Sequence, residues 1–188
     1  MRDICYSKDR TTMSFTQDER HLYISSTSLS DDVLGIEQFQ GTEQISKPFC
    51  FTAQLLSNDD NILPKKLVGT DVTVSIDQED GSKRYFSGYV SKLSGGIKVT
   101  RDTRAYTAEI VPWLWFLTKR SGCRIFQSQS VIDIIQTIFN ECPINSFRMG
   151  SMLLTHPVRD YCVQYRESDF DFVSRLMEEE GIYYYFEH

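Results

Sequence analysis

Over the first 120 positions, apolar residues recur mostly at every second place, the pattern of strands with one buried face. Val72, Val74 and Ile76 alternate with Thr73, Ser75 and Asp77. His21–Ser26, Val33–Ile45 and Phe49–Leu56 read as earlier strands. Lys47-Pro48 bounds the last of these, because proline is tolerated at strand starts and edges. Ser57–Asn61 is a polar loop, and Pro64–Val68 forms one helical turn ending at Gly69. Asp80-Gly81 marks a tight hairpin, since both central positions favour positive φ. The returning strand is Arg84–Leu93, and Gly95-Gly96 reads as a second turn. Arg104–Leu117 then reads as a long extended segment, with Pro112 at a bulge or edge. Residues 21–120 thus make a meander of antiparallel strands, an arrangement that closes into a barrel or a sandwich.

After residue 120 the period changes. Ser130-Val131-Ile132-Asp133 is a capping-box variant, and Ile134, Ile135, Ile138 and Phe139 follow at helical spacing. Cys142-Pro143 stops that helix. Ser168-Asp169-Phe170-Asp171 opens a second helix whose apolar face is Phe172, Val173, Leu176 and Met177, with Gly181 at the left-handed position past its end. Asp160–Arg166 reads as a strand between the helices, and Ile182–Phe186 as an aromatic strand after them, an edge that needs covering. The fold class is therefore α+β, mostly β, with a β-barrel-like domain over 21–120 and an α+β domain over 121–188. Residues 1–20 carry no periodic apolar pattern before Phe15 and read as a loose leader.

Composition narrows the function classes. The net charge of −6, with lysines and arginines scattered, argues against nucleic acid as a partner. Aromatic residues make up 13% of the chain, which suits pleated sheets and interfaces. The five cysteines, Cys5, Cys50, Cys123, Cys142 and Cys162, are odd in number and lack C-x-x-C spacing. A zinc site and a full disulfide framework are both disfavoured, and free thiols fit a reducing compartment. The first residues lack the apolar core of a secretory signal, and no apolar run is long enough to span a bilayer.

Candidate chemistry is sparse. His21, His156 and His188 lie outside any recognised catalytic or metal-binding motif and read as surface or turn residues. Glu178-Glu179-Glu180 sits at the negative end of a helix dipole. It reads as a solvated helix end or, with Tyr183 and Tyr185, as an interface, the candidates being Glu178, Glu180, Tyr183 and Tyr185. Arg175 lies four residues from both Asp171 and Glu179 and offsets part of that charge. Cys123 and Cys162 have no histidine that sequence places beside them. No nucleophile or base has an orienting partner, so the expectation is a non-enzyme without cofactor or metal.

The stretch Tyr165-Arg166-Glu167-Ser168-Asp169-Phe170-Asp171-Phe172-Val173-Ser174-Arg175-Leu176-Met177-Glu178-Glu179-Glu180-Gly181 with the aromatic run to His188 resembles the signature of VgrG proteins, the spikes of type VI secretion systems. Gly41–Phe49, Pro112–Leu117, Arg124, Phe126 and Gln127 in Cys123–Gln127, and Ser130–Ile135 match in the same order. The resemblance implies a fold like the hub of contractile phage baseplates, assembled as a homotrimer. It implies an Hcp-type tube protein, baseplate components and effectors as partners, and release through the machine rather than by a signal peptide. It also implies a mechanical role, with the needle outside these residues. A phage baseplate hub is the nearest alternative. A cell-wall hydrolase or a carbohydrate-binding β module is the alternative of another class, the latter favoured by exposure of Trp113 or Trp115.

Overall fold

The computed structural model describes residues 17, 20–59, 62–150 and 155–188. Six antiparallel strands form one curled sheet, a half-barrel. They are β1 (Leu22–Ser26), β2 (Gly35–Gln44), β3 (Lys47–Ser57), β4 (Asp71–Asp77), β5 (Lys83–Lys98) and β6 (Arg104–Val111). Alternation dictates which face turns inward. Phe49, Phe51, Ala53 and Leu55 of β3, Val72 and Val74 of β4, Phe86 and Val90 of β5, and Tyr106, Ala108 and Ile110 of β6 share one core. Phe51 lies edge-on to Phe86 and stacks on Phe49, with ring centroids 5.5 and 4.4 Å apart.

The spatial order β1-β4-β5-β6-β3-β2 is not a plain meander. Only β4, β5 and β6 follow one another; the β2–β3 hairpin joins beyond β6, and β1 sits outside β4. The short helix α1 (Pro64–Leu67) carries the chain from β3 to β4 and buries Leu67, and Gly69 (φ 86°) follows it in the left-handed conformation.

Among the described residues, the Gln17 side chain meets the outer edge of β1. Gln17 is buried, donates its amide to the Ile24 carbonyl at 3.1 Å, and accepts the Ile24 N–H at 2.9 Å. Gln17 and Arg20 therefore belong to the fold, Arg20 donating to the Ile36 carbonyl. The rest of the expected leader lies outside the described residues.

Gly95-Gly96 is not a turn. Both glycines lie inside β5 at a register shift, where Gly95 (φ 121°) approaches β6 so closely that a Cβ would stand 2.6 Å from the Ala105 carbonyl oxygen. The actual turn lies beyond Lys98, with Val99 N–H donating to the Thr103 carbonyl. The expected extension to Leu117 also ends early. β6 stops at Val111, because Pro112 has no N–H for the ladder, and Trp113–Lys119 coils into a 3-10 helix.

A second core begins there. It joins Trp113, Leu114 and Leu117 to α2 (Val131–Asn140), to α3 (Asp169–Glu179), and to Phe126 and Cys162 of the ribbon formed by β7 (Ser121–Phe126) and β10 (Cys162–Ser168). A two-residue pair, β8 (Gln129–Ser130) with β9 (Val158–Arg159), ties the loop after α2 to the start of that helix. Ser130 caps α2 through a complete capping box: its hydroxyl accepts from Asp133 N–H while Asp133 accepts from Ser130 N–H. Ser168 caps α3 by accepting from Asp171 N–H, but the reciprocal bond runs between the side chains.

Residues 182–186 are not a ladder strand. They run extended, with Ile182, Tyr184 and Phe186 packed inward and Tyr183 and Tyr185 facing out. Phe186 touches both cores. The apolar side that would have needed an outside neighbour is thus covered by the chain itself. Desolvation, with Glu178 nearby, pushes the Tyr184 phenol up to about 12.

Gly88 offers a direct test of how tightly the sheet is packed. A Cβ there would stand 2.8 Å from Ile110 Cγ2 and 2.9 Å from the Val111 carbonyl oxygen. Ile110 is fully enclosed and cannot yield. Gly88→Ala will destabilise the fold by about 1–3 kcal/mol, read as a lower urea midpoint with unchanged slope.

Candidate functional site

Of the signature residues, Arg124 bonds Asp169, the first residue of α3, which is 2% exposed. Its Oδ1 accepts from Arg124 Nη2 at 2.5 Å and from Gln164 Nε2 at 2.9 Å. Arg120 Nε stands 3.3 Å from its Oδ2, and Asp169 N–H donates to the Arg120 carbonyl. A carboxylate at a helix N-terminus is also favoured by the helix dipole.

Arg124 reaches this point because β7 turns Arg124 and Phe126 inward while Cys123 and Ile125 face out. Its three nitrogens each have a different acceptor: Nε donates to Gln164 Oε1 at 2.8 Å, Nη1 to Glu141 Oε2, and Nη2 to Asp169. Gln164, on β10, is 0% exposed, and Arg120 adds a second arm to Glu141 at 3.3 Å. One ionic frame therefore joins β7, β10, the start of α3 and the C-cap of α2. Phe126 stacks on Phe172 beneath it, with centroids 5.8 Å apart.

A second set of pairs holds the other end of α3. Arg175 bonds Glu167 at 2.7 Å and Glu179 at 3.3 Å. The expected partner Asp171 instead bonds Ser168. Arg159 bonds Glu179 at 2.8 Å and Glu180 at 2.6 Å, and His156 Nδ1 lies 2.8 Å from Glu180. The helix end is thus not simply solvated. Glu179 is held below the usual carboxylate range chiefly by Arg159, and Glu180 by His156 and then Arg159. The two glutamates in turn hold the Arg159 guanidinium above its ordinary value. Gly181 (φ 68°) lets the chain leave α3: Ile182 N–H reaches the Met177 carbonyl at 2.8 Å and Gly181 N–H that of Glu178.

The remaining signature residues take distinct places. Arg166 adopts φ 53° where the β7–β10 register slips, and its guanidinium lies over Tyr165. Phe170 packs against the second core, whereas Gln127 is exposed. Of the interface candidates, Tyr183 and Tyr185 are 67% and 61% exposed and Glu178 is exposed, but Glu180 is turned into the pairs just described.

Two histidines depart from the surface reading. The side chains of His156 and His188 are only 9% and 11% exposed. Sequence reasoning missed both, because their partners lie 24 and 145 residues away. Trp113 is buried edge-on to Phe139 and Trp115 is half-buried beneath Lys119, which weakens the carbohydrate-module reading. Among the described residues, no group of three or more His, Cys, Asp or Glu is placed to hold a metal, Cys50, Cys123, Cys142 and Cys162 are free thiols, and no helix is long and apolar enough to cross a membrane. The carboxylates of the frame are occupied by guanidiniums. Asp169 and Glu141 each pair with both Arg120 and Arg124, an arrangement that braces the elements it joins.

A half-barrel of antiparallel strands followed by a helix pair on a two-stranded ribbon is the fold of a tail-hub protein. Residues 42–188 match the family model described as phage tail baseplate hub (GPD), and the chain belongs to that family. It is homologous to type VI secretion spike proteins. It is 41% identical over 162 residues to the spike protein VgrG1a of Pseudomonas aeruginosa, covering 85% of this chain and 25% of that one. It is 38% identical over 176 residues to VgrG1b of the same organism, covering 94% and 23%. The chain thus spans about a quarter of the length of these relatives. Among solved structures it is similar to the E. coli c3393 protein, described as a component of the type VI secretion system resembling the T4 tail proteins gp27 and gp5. The TM-score is 0.69 at 25% identity, covering 83% of this chain and 42% of that one. A 43 kDa tail protein of prophage MuSo2 from Shewanella oneidensis shares the fold, with TM-score 0.52 at 17% identity, covering 85% and 50%.

Two outcomes test the brace. Asp169→Ala strands two guanidiniums and will cost about 3 kcal/mol in urea unfolding, whereas Glu141→Gln, at an exposed partner, will cost under about 1 kcal/mol. Glu180 has its folded value depressed, so its stabilisation is present above about pH 5 and fades as pH falls through the lower folded value. Wild type and Glu180→Gln will therefore differ in thermal midpoint above about pH 5 and converge as pH falls through the lowered folded value.

Proposed function

We propose that this chain is the hub part of a type VI spike, working by shape and by attachment to neighbouring subunits. In a protein of its relatives' length it would assemble as a homotrimer, couple an Hcp-type inner tube to a puncturing needle, and carry effectors through baseplate release. The observation that carries this reading is the ordered match over residues 42–188, whose most distinctive charged residues form a load-spreading brace. Force entering either helix passes through Asp169 and Arg124 into the β7–β10 ribbon. The named relatives are spike proteins, which supports a structural rather than a catalytic role. They also favour the type VI reading over a phage hub: the relatives at 38–41% identity are spike proteins, the prophage tail protein shares the fold at 17% identity, and the baseplate-hub family model is compatible with both.

Within this reading, Glu178, Tyr183 and Tyr185 lie on the outside of α3 and the segment after it and form the subunit contact. In cells making a spike of full relative length with this region, Tyr183→Asp combined with Tyr185→Asp will reduce release of tube protein to the medium about tenfold or more. The region's own melting temperature will stay unchanged. Undiminished release, or a full-length spike that sediments as a monomer, would defeat the proposal.

A further inference from the structure

The β7–β10 ribbon turns one face to the second core and the other to solvent. Phe126 and Cys162 enter that core, and Arg124 bonds Gln164 on the same side. Cys123 and Ile125 point the other way, directly opposite Tyr165 and Val163 in the ladder. Together these side chains make one continuous apolar face. Ile125 is 60% and Tyr165 63% exposed, and Cys123 is exposed as well. Exposed apolar side chains clustered on a thin ribbon mark an interaction surface.

Arg166 stands at the end of this face. It is the extra residue where the ladder passes from Tyr165–Cys123 to Glu167–Gly122. Plain alternation would send its side chain to the core side with Gln164. The bulge turns it outward instead, exposed, with its guanidinium 5.1 Å from the Tyr165 ring centroid. That course holds Arg166 at φ 53°, a left-handed conformation uncommon for residues with a side chain. Arg120, Arg124, Arg148, Arg159 and Arg175 each pair with a carboxylate, and Arg166 has no such pair among the described residues.

Glu178 is in the converse position. It is exposed and has no ion pair among the described residues, while Glu179 and Glu180 are both paired. Resting on the trimeric reading above, we infer that the outer face of the ribbon is the receiving half of the subunit contact. Cys123, Ile125, Val163 and Tyr165 of one copy seat Tyr183 and Tyr185 of the next, and Arg166 pairs with Glu178. Symmetry requires two such halves. A ring of three copies closes head to tail, so each copy presents two different surfaces that fit one another. Contact of the tyrosine patch with itself would set Glu178 against Glu178, whereas the ribbon offers apolar surface and the opposite charge. Tyrosine and arginine are also the residues that most often anchor interfaces.

The face is far smaller than the roughly 20–30 residues a side of a stable interface, so the contact is read in a spike of full relative length carrying this region. Cys123 is a built-in probe. In the native spike it will react with a maleimide about tenfold or more slowly than in this chain alone, where it is exposed. Arg166→Glu and Glu178→Arg will each restore fast labelling. The two combined will return it to the native spike's slow rate, since the charges then face each other reversed. Arg166→Gly separates assembly from folding: glycine takes φ 53° without strain, so this chain's own melting temperature will hold or rise while Cys123 in the spike is uncovered. A trimeric spike whose Cys123 labels as fast as in the chain alone, or stays slow in Arg166→Glu, would overturn the inference and leave the trimer standing. A native spike that sediments as a monomer would overturn both.

Discussion

A buried carboxylate shared by two guanidiniums holds the C-terminal half of this chain in one piece. Asp169 is at once the start of α3, the acceptor for Arg124 and Gln164 from the ribbon, and the donor to the Arg120 backbone. Without it, α2, α3 and the ribbon would still share an apolar core but would lose the charged hydrogen bonds that join them at the start of α3. Apolar packing sets how closely these elements approach, and charged hydrogen bonds add a requirement for particular angles. The arginines remain partly open to water, which softens the desolvation that makes many buried pairs unfavourable.

Much of the fold was legible in the chain because local rules and tertiary structure agree. The alternation in β4 and β3, the Ser130 capping box and the Gly181 terminus all appear as read. The failures share a cause. Gly95-Gly96 looked like a turn because glycine permits one, but the close approach of β6 is what requires glycine there. Pro112 suggested a bulge, yet the loss of its N–H ended the strand altogether. The aromatic run after Gly181 has the alternation of a strand, and it does bury alternate residues; what it lacks is a continuous ladder partner.

Of the ionic frame, only Arg124 and Asp169 stand among the signature residues; Arg120, Glu141 and Gln164 carry no local signal that marks them. Arg124 and Asp169 are 45 positions apart, and nothing local to either indicates the other. Glu178-Glu179-Glu180 read as a charged run, but Glu179 is paired with Arg159 of β9 and with Arg175, and Glu180 with Arg159 and His156. Pairing across such loops is set by the packed structure, so a single sequence supplies the participants and leaves their partners open.

The contact between Gln17 and Ile24 has a further consequence. An open edge strand offers its peptide groups to any extended chain that drifts past, and sheet proteins that leave such an edge bare tend to grow into fibres. A carboxamide has the same donor and acceptor as a peptide bond but no neighbours to continue the series. By seating one on Ile24, this protein ends its sheet with a cap that cannot propagate, so the margin of the half-barrel does not recruit a foreign strand at that point.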